Sequence, residues 1–260
     1  MKKRLTLILL AALLILLTAC GGGTTASNDL DYIKENGKMV IGYTVYEPMN
    51  YTDDDGVFTG FDTELATLIC EKLGVEPEFI EINWDTKEVE LNAKSIDCIW
   101  NGLTILPDRL ETMEITNPYV LNAQVVLVKA GTEYEDTSSL IDKTLVAEQG
   151  SAGEDTILAD DNLSLATYIP KTVQTDCLLE VKAGTADAAV LDLTLAKAMT
   201  GPGTSYEDLT IVAMLAEEYY GVAFRKGSDA AAAVNTIFEE LIADGTMASL
   251  ADKYELSLAE

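Results

Sequence analysis

The 260-residue chain contains no histidine. That absence removes the Ser-His-Asp and Cys-His routes to nucleophilic catalysis, along with the most versatile metal ligand. Any chemistry here would fall to carboxylates, lysine or tyrosine. Basic residues are scarce as well, 17 Lys and Arg against 44 Asp and Glu, for a net charge of −27. A nucleic-acid partner requires a basic footprint, and anionic lipid attracts basic segments, so both are excluded as electrostatic partners. A surplus of this size keeps a protein soluble and self-repelling. The four cysteines, Cys20, Cys70, Cys98 and Cys177, are widely spaced and carry neither a zinc pattern nor a disulfide framework. Cys70 falls on an apolar helical face and Cys98 in a strand-like run, so burial as small hydrophobes and a Cys70–Cys98 disulfide both stay open. No metal and no cofactor is expected.

One long hydrophobic run is present. Lys2, Lys3 and Arg4 precede thirteen residues, Leu5 to Leu17, that are apolar apart from Thr6. A membrane-spanning helix needs about 20 such residues. The shorter run has the length of a signal-peptide core. It ends in Leu17-Thr18-Ala19-Cys20 and Gly21-Gly22-Gly23, which resembles the bacterial lipoprotein signal, where small residues precede a cysteine that becomes the lipidated first residue; an ordinary secretory signal is the alternative. Residues 1–19 are expected to be removed, and the loss of three basic residues takes the net charge from −27 to −30. Residues 20–36, beginning GGGTTASND after Cys20, read as a tether. An extracytoplasmic, membrane-anchored chain follows, held through Cys20 by acyl CH₂ groups worth about 0.8 kcal/mol each.

From Met39 onward short apolar runs alternate with helical patterns, the signature of βαβ units in an α/β fold. Strands are predicted at Met39–Gly42, Glu78–Ile80, Ile96–Trp100, Gln124–Val128, Leu145–Ala147, Thr167–Ile169, Ala188–Leu191 and Tyr220–Arg225. Helices are predicted from Asp62, as cap, to Leu73, over Lys87–Ala93, from about Glu154, and over Val173–Lys182, Ala230–Ala243 and Met247–Tyr254. About 230 residues beyond the signal suit two lobes.

Three segments follow strands, where the crevice of an open α/β sheet lies. Asn101-Gly102-Leu103-Thr104 leads to Arg109: Gly102 permits close backbone approach, Thr104 offers a hydroxyl and an N–H, and Arg109 a planar fork for a carboxylate. A surface salt bridge from Arg109 to Asp108 or Glu111 is the alternative. Glu148-Gln149-Gly150-Ser151-Ala152-Gly153-Glu154 is either a tight βα turn or a helix N-terminus suited to an anion. Lacking a lysine, it is no P-loop. Asp192 caps the following helix or meets a ligand ammonium at the crevice mouth. Arg109 and Asp192 together would read both charged ends of an α-amino acid.

With these residues in order, the chain resembles the extracellular solute-binding proteins of family 3, the polar amino acid receptors of ABC importers. The likeness runs from about residue 38 to 256. It is carried by Ile41-Gly42-Tyr43, Tyr46-Glu47-Pro48-Met49, Gly60-Phe61-Asp62-Thr63-Glu64-Leu65, Ile96-Asp97, Asn101-Gly102-Leu103-Thr104-Ile105 with Arg109, Gly150-Ser151, Ala186-Asp187-Ala188 with Asp192, Tyr220-Gly221-Val222-Ala223 and Ala243-Asp244-Gly245-Thr246.

The resemblance implies a two-lobed periplasmic-binding-protein-like (type II) fold of two mixed sheets flanked by helices, hinged on two crossing strands near residues 120–125 and 217–222. Lobe one would comprise 37–122 and 220–260, and lobe two 123–219. The lobes would close on the ligand as rigid bodies. By similarity, Arg109 and the backbone at Thr104 and Ala152 hold the ligand carboxylate, while Asp192 and a carbonyl near Gly102, beside Asn101, take its ammonium. Tyr46 falls where the family places an aromatic wall and Trp84 where a side chain lines the pocket; partial core burial is the alternative for both. Glu148 stands where glutamine or lysine is frequent, which points to a cationic or amide ligand side chain. The implied partners are an amino acid ligand, an ABC transporter permease and, through the N-terminal lipid, a membrane, with the protein a monomer. Two other readings compete with the receptor: a carboxylate-dependent dehydratase of the same fold, with Glu148 or Asp192 as acid and base, and a ligand-sensing module for a membrane partner.

Overall fold

A computed structural model describes residues 29–259. The expected signal, Cys20 and the first part of the tether lie outside the described residues. The rest of that stretch departs from the expectation, because Asp29–Asn36 forms a helix, α1. Ile33 is fully buried and Asp29 is paired with Arg225, so this segment is docked on the fold and not a linker.

Strand β1 (Lys38–Tyr43) runs parallel to β4 (Glu76–Glu81) on one side and to β5 (Cys98–Thr104) on the other. Between β1 and β4 lie a short hairpin, β2 (Tyr51–Thr52) with β3 (Phe58–Thr59), and helix α2 (Phe61–Leu73). After β4 a 3-10 turn at Trp84–Thr86 leads into α3 (Lys87–Asn92). Helix α4 (Pro107–Thr112) follows β5, with Pro at its first position where no backbone donor is lost. A short strand, β6 (Met113–Ile115), comes next.

The second lobe holds β8 (Thr144–Glu148), α5 (Ala152–Ala159), β9 (Thr167–Lys171), α6 (Gln174–Ala183), β10 (Ala188–Asp192) and α7 (Leu193–Met199). Two long strands join it to the first, β7 (Val120–Lys129) and β11 (Leu209–Arg225). Helices α8 (Ala230–Ala243) and α9 (Thr246–Lys253) and strand β12 (Ser257–Leu258) return to lobe one, where Phe238 meets Trp100 edge to face at 6.2 Å. Among the described residues no helix is long and apolar enough to cross a membrane.

The two lobes are present, but their strands form one sheet where two were expected. The order is β4-β1-β5-β11-β7-β10-β8-β9, with β6 on β11 and β12 on β7. Continuity comes from β11, whose 17 residues span roughly 55 Å at about 3.3 Å each and so traverse both lobes. Its pairing slips between Ile211 and Ala213, Met214 and Ala216, and Gly221 and Ala223. Such bulges let a strand bend while staying in its sheet.

Two local expectations change. The helix expected to be capped by Asp62 begins at Phe61 after Gly60. Asp62 turns inward instead, accepting from the Gly102 N–H at 2.7 Å and the Tyr119 hydroxyl at 2.8 Å. Asn101–Thr104, expected beyond a strand, extend β5, since Leu103 and Thr104 pair with Gly221 and Tyr220. Cys70, Cys98 and Cys177 are free and buried, so no Cys70–Cys98 disulfide forms. Burial pushes the Cys70 thiol up to about 12 and leaves it inert.

Candidate functional site

Arg109 sits on the first turn of α4 with its guanidinium turned inward, 4% exposed. Nη1 donates to the Thr104 carbonyl at 3.0 Å and Nη2 to the Gly150 carbonyl of the other lobe at 3.2 Å. The carboxylate it approaches is that of Asp155, at 3.9 Å, and not Asp108 or Glu111. Burial lowers its pKa from the usual arginine value. A buried cation resting mainly on two carbonyls has capacity for an anion.

Gly150 explains why that carbonyl faces lobe one. It has a φ of 72°, a left-handed conformation that aims the peptide across the cleft. A second cation meets the same oxygen: Lys87 Nζ donates to Gly150 at 2.8 Å and to the Trp84 carbonyl at 3.2 Å, 5.0 Å from the centre of the Trp84 ring. Burial and nearby Arg109 bring the Lys87 pKa down to about 8. The rest of the Gly150 turn spends its donors locally. The Gly150 N–H reaches Glu154 Oε2 at 2.6 Å, and Ser151 Oγ accepts from the Glu154 N–H at 3.2 Å, so the turn caps α5, which starts at Ala152.

Glu148 ends β8 beneath this turn and is 2% exposed. Its Oε1 has no hydrogen-bond partner among the described residues. Burial, then the neighbouring Asp192 carboxylate, raise its pKa well above the carboxylate range, against the pull of Lys87. An unpartnered acceptor in such a place costs about 1–3 kcal/mol, unless something donates to it.

Asp192 does not cap α7 with its side chain. Its carboxylate accepts from the amides of Asn122 and Gln124, each at 2.7 Å, and from Gln174. Glu218, on the crossing strand β11, shares the first two donors at 2.6 and 2.9 Å and also accepts from Thr104 Oγ1 at 3.0 Å. Thr104 thus offers its carbonyl to Arg109 and its hydroxyl to Glu218.

Tyr46 is buried where the lobes meet, its hydroxyl bonded to Thr194 of lobe two and, at 2.5 Å, to Tyr220. Gly102 has a φ of 58°, and a Cβ there would stand 2.8 Å from the Tyr46 ring and 3.0 Å from that of Tyr220. Only glycine fits. Asn101 does not reach the cleft with its side chain. It accepts from the N–H and hydroxyl of Thr44 and donates to the Thr44 carbonyl and Asn50 Oδ1, which fills all four of its positions and makes it a brace for the β1 loop. Trp84 packs its ring in the lobe-one core with Leu91 and Ile99 and offers the site its carbonyl.

The structure therefore brings Thr104, Arg109, Glu148, Asp192 and Tyr46 together at the lobe junction, with Gly102 and Ala152 as backbone beside them. It adds Lys87, Asn122, Gln124, Gln174 and Glu218. The sequence carries a signal for two of these: Asn122 and Gln124 are polar residues two apart in a strand otherwise apolar up to Lys129, so they share a face.

Comparison with known proteins agrees with this geometry. The chain is 29% identical over 230 residues to the L-cystine-binding protein TcyJ of Escherichia coli (strain K12), covering 86% of this chain and 85% of that protein. A mutant of ArgBP from T. maritima matches with a TM-score of 0.81 at 30% identity, over 87% of this chain and 98% of that one. An ABC uptake transporter substrate binding protein from Streptococcus pneumoniae with bound histidine matches with a TM-score of 0.82 at 27% identity, over 88% and 97%. These relatives are binding proteins. Residues 39–257 match the family model itself, and the chain belongs to the bacterial extracellular solute-binding proteins, family 3.

Proposed function

We propose that this protein is the receptor of an ABC importer and encloses one amino acid between its lobes. Arg109 takes the ligand carboxylate, with the backbone near Thr104 and Ala152, and Asp192 takes the ammonium. The observation that carries the reading is the buried Arg109 guanidinium, bonded to two carbonyls and within reach of the Asp192 charge. Each charge-assisted hydrogen bond contributes about 1.5–3 kcal/mol. Glu148, with its unpartnered oxygen, receives an N–H donor or a cation from the ligand side chain. Basic amino acids and cystine meet that requirement; aliphatic ones do not.

Closure follows from the same contacts. The Gly150 carbonyl accepts from Lys87 and Arg109, and Tyr46 bonds Thr194, so residues that line the ligand also hold the lobes together. Export, cleavage before Cys20 and a lipid anchor are part of the proposal and rest on the short apolar run and Leu17-Thr18-Ala19-Cys20. The family is extracytoplasmic by description, in keeping with that signal.

A thermal-shift screen tests the reading, with protein stripped of bound ligand and the twenty amino acids plus cystine. A ligand at about 100 times its Kd stabilises the folded state by about 2.7 kcal/mol, and arginine, lysine, histidine or cystine is expected to give the largest rise. No rise with any of them overturns the proposal.

A further inference from the structure

Asp192 and Glu218 stand side by side because the sheet places them so. Asp192 pairs with Gln124 across β10 and β7, and Glu218 pairs with Asn122 across β11 and β7. The two amides between them each donate to both acids. The pairing of β10 and β11 with β7 sets this arrangement. Around it lie Glu148 from β8, Arg109 from α4, Lys87 from α3 and the hydroxyls of Tyr46 and Tyr220. Both cations are turned to the Gly150 carbonyl, and the ion pairs found among the described residues do not include Asp192 or Glu218. Two adjacent buried carboxyl groups without a cation hold one proton between them. Burial and then the Asp192 charge raise Glu218, whereas the Gln174 and Gln124 amides favour the charged form of Asp192, which puts the proton on Glu218.

We propose that Glu218 is a second ammonium-binding carboxylate of the cleft, and that it holds in the ligand-free protein a proton that the ligand ammonium replaces. The inference rests on the amino-acid receptor reading. In the exchange the Glu218 O–H bond breaks and its proton leaves to solvent. The carboxylate so formed and Asp192 then share the N–H donors of the incoming ammonium. No other bond changes. Capture therefore releases one proton, and affinity falls as the pH falls. Because Glu218 also accepts from Thr104 of lobe one, the exchange is felt at the point where the crossing strands meet both lobes.

Calorimetric titration with L-arginine and with L-cystine near neutral pH, in two buffers of different ionisation enthalpy, counts the protons. The wild type is expected to release about one proton per ligand at about pH 6.5, and the release should shrink as the pH rises through about 8. Glu218→Gln should bind more weakly and release about one proton fewer than the wild type, and Asp192→Asn should lose the same proton, because its neutral amide no longer holds one on Glu218. Zero release by the wild type, or undiminished release by Glu218→Gln, overturns the inference while leaving the receptor reading intact. Carboxyl carbon NMR of the ligand-free protein decides the proton even if neither probe binds: Glu218 should be protonated at neutral pH, and an ionised Glu218 there overturns the exchange.

Discussion

Arg225 and Arg109 are both buried arginines of lobe one, and they are held in opposite ways. Arg225 is wrapped: Nε donates to both Asp29 oxygens, Nη1 to the carbonyls of Leu91 and Ile96, and Nη2 to Asp97 at 3.1 Å. Its charge is matched by two carboxylates, and the cluster ties α1, α3, β5 and β11 together. Arg109 has two carbonyls and a carboxylate at 3.9 Å. A fully matched buried charge serves the scaffold, because nothing remains for it to bind. A partly matched one is a recognition group, since a ligand anion completes it.

Removing each arginine separates the two roles. The largest effect on stability is expected from Arg225→Ala, which leaves Asp97 buried without a cation and Asp29 with Lys94 at 3.9 Å, and should cost about 3–5 kcal/mol, read as a fall of roughly 10 °C in Tm. The protein that remains folded should still bind its ligand. Next, Arg109→Ala should weaken binding by about 100-fold or more, the equivalent of about 3 kcal/mol, while ligand-free Tm stays within a few degrees. Calorimetry and thermal melts on the same two samples decide the matter: an unchanged melt for Arg225→Ala, or unfolding of Arg109→Ala, would break the distinction.

The same contrast extends to an anion. Asp62 is fully buried with no cation beside it among the described residues, accepting from the Gly102 N–H and the Tyr119 hydroxyl, and burial raises it to about 7. Its folded pKa lies above the unfolded one, so its contribution to stability is complete below about pH 4 and is lost as the pH rises through about 7. Asp62→Asn keeps an acceptor for both donors and cannot ionise. The wild type should therefore lose stability relative to this variant by up to about 1.4 kcal/mol per pH unit across that window, in denaturant melts at several pH values. Parallel pH profiles would show that Asp62 is not held as described.

Much of the fold is legible in the sequence. Alternating strand and helix patterns locate most elements, and the pattern over Ala230–Ala243 matches its helix to the residue. Glycine and apolar spacing work well there because they act within a few residues. Boundaries go astray where the partner is remote. Asp62 has the composition of a cap, yet its acceptor role is decided by Gly102, and the first half of β11 is strand because β7 lies beside it. Within the site, Arg109, Asp192 and Glu148 stand out by their places after strands. Glu218 does not, since a glutamate in Glu217-Glu218 looks like a solvated pair until the sheet register sets it against Asn122.

By itself the sequence determined the elements, the two-lobed plan and the family, because periodicity, turn residues and ordered motifs are local properties of the chain. Tertiary structure decided which charges are matched. Arg225 meets Asp29 across 196 positions and Glu218 meets Asn122 across 96, and separations of that size are closed only by the fold. Whether a buried ion is scaffold or receptor depends on the counter-charges within a few ångströms, and those come from strands far apart in the chain.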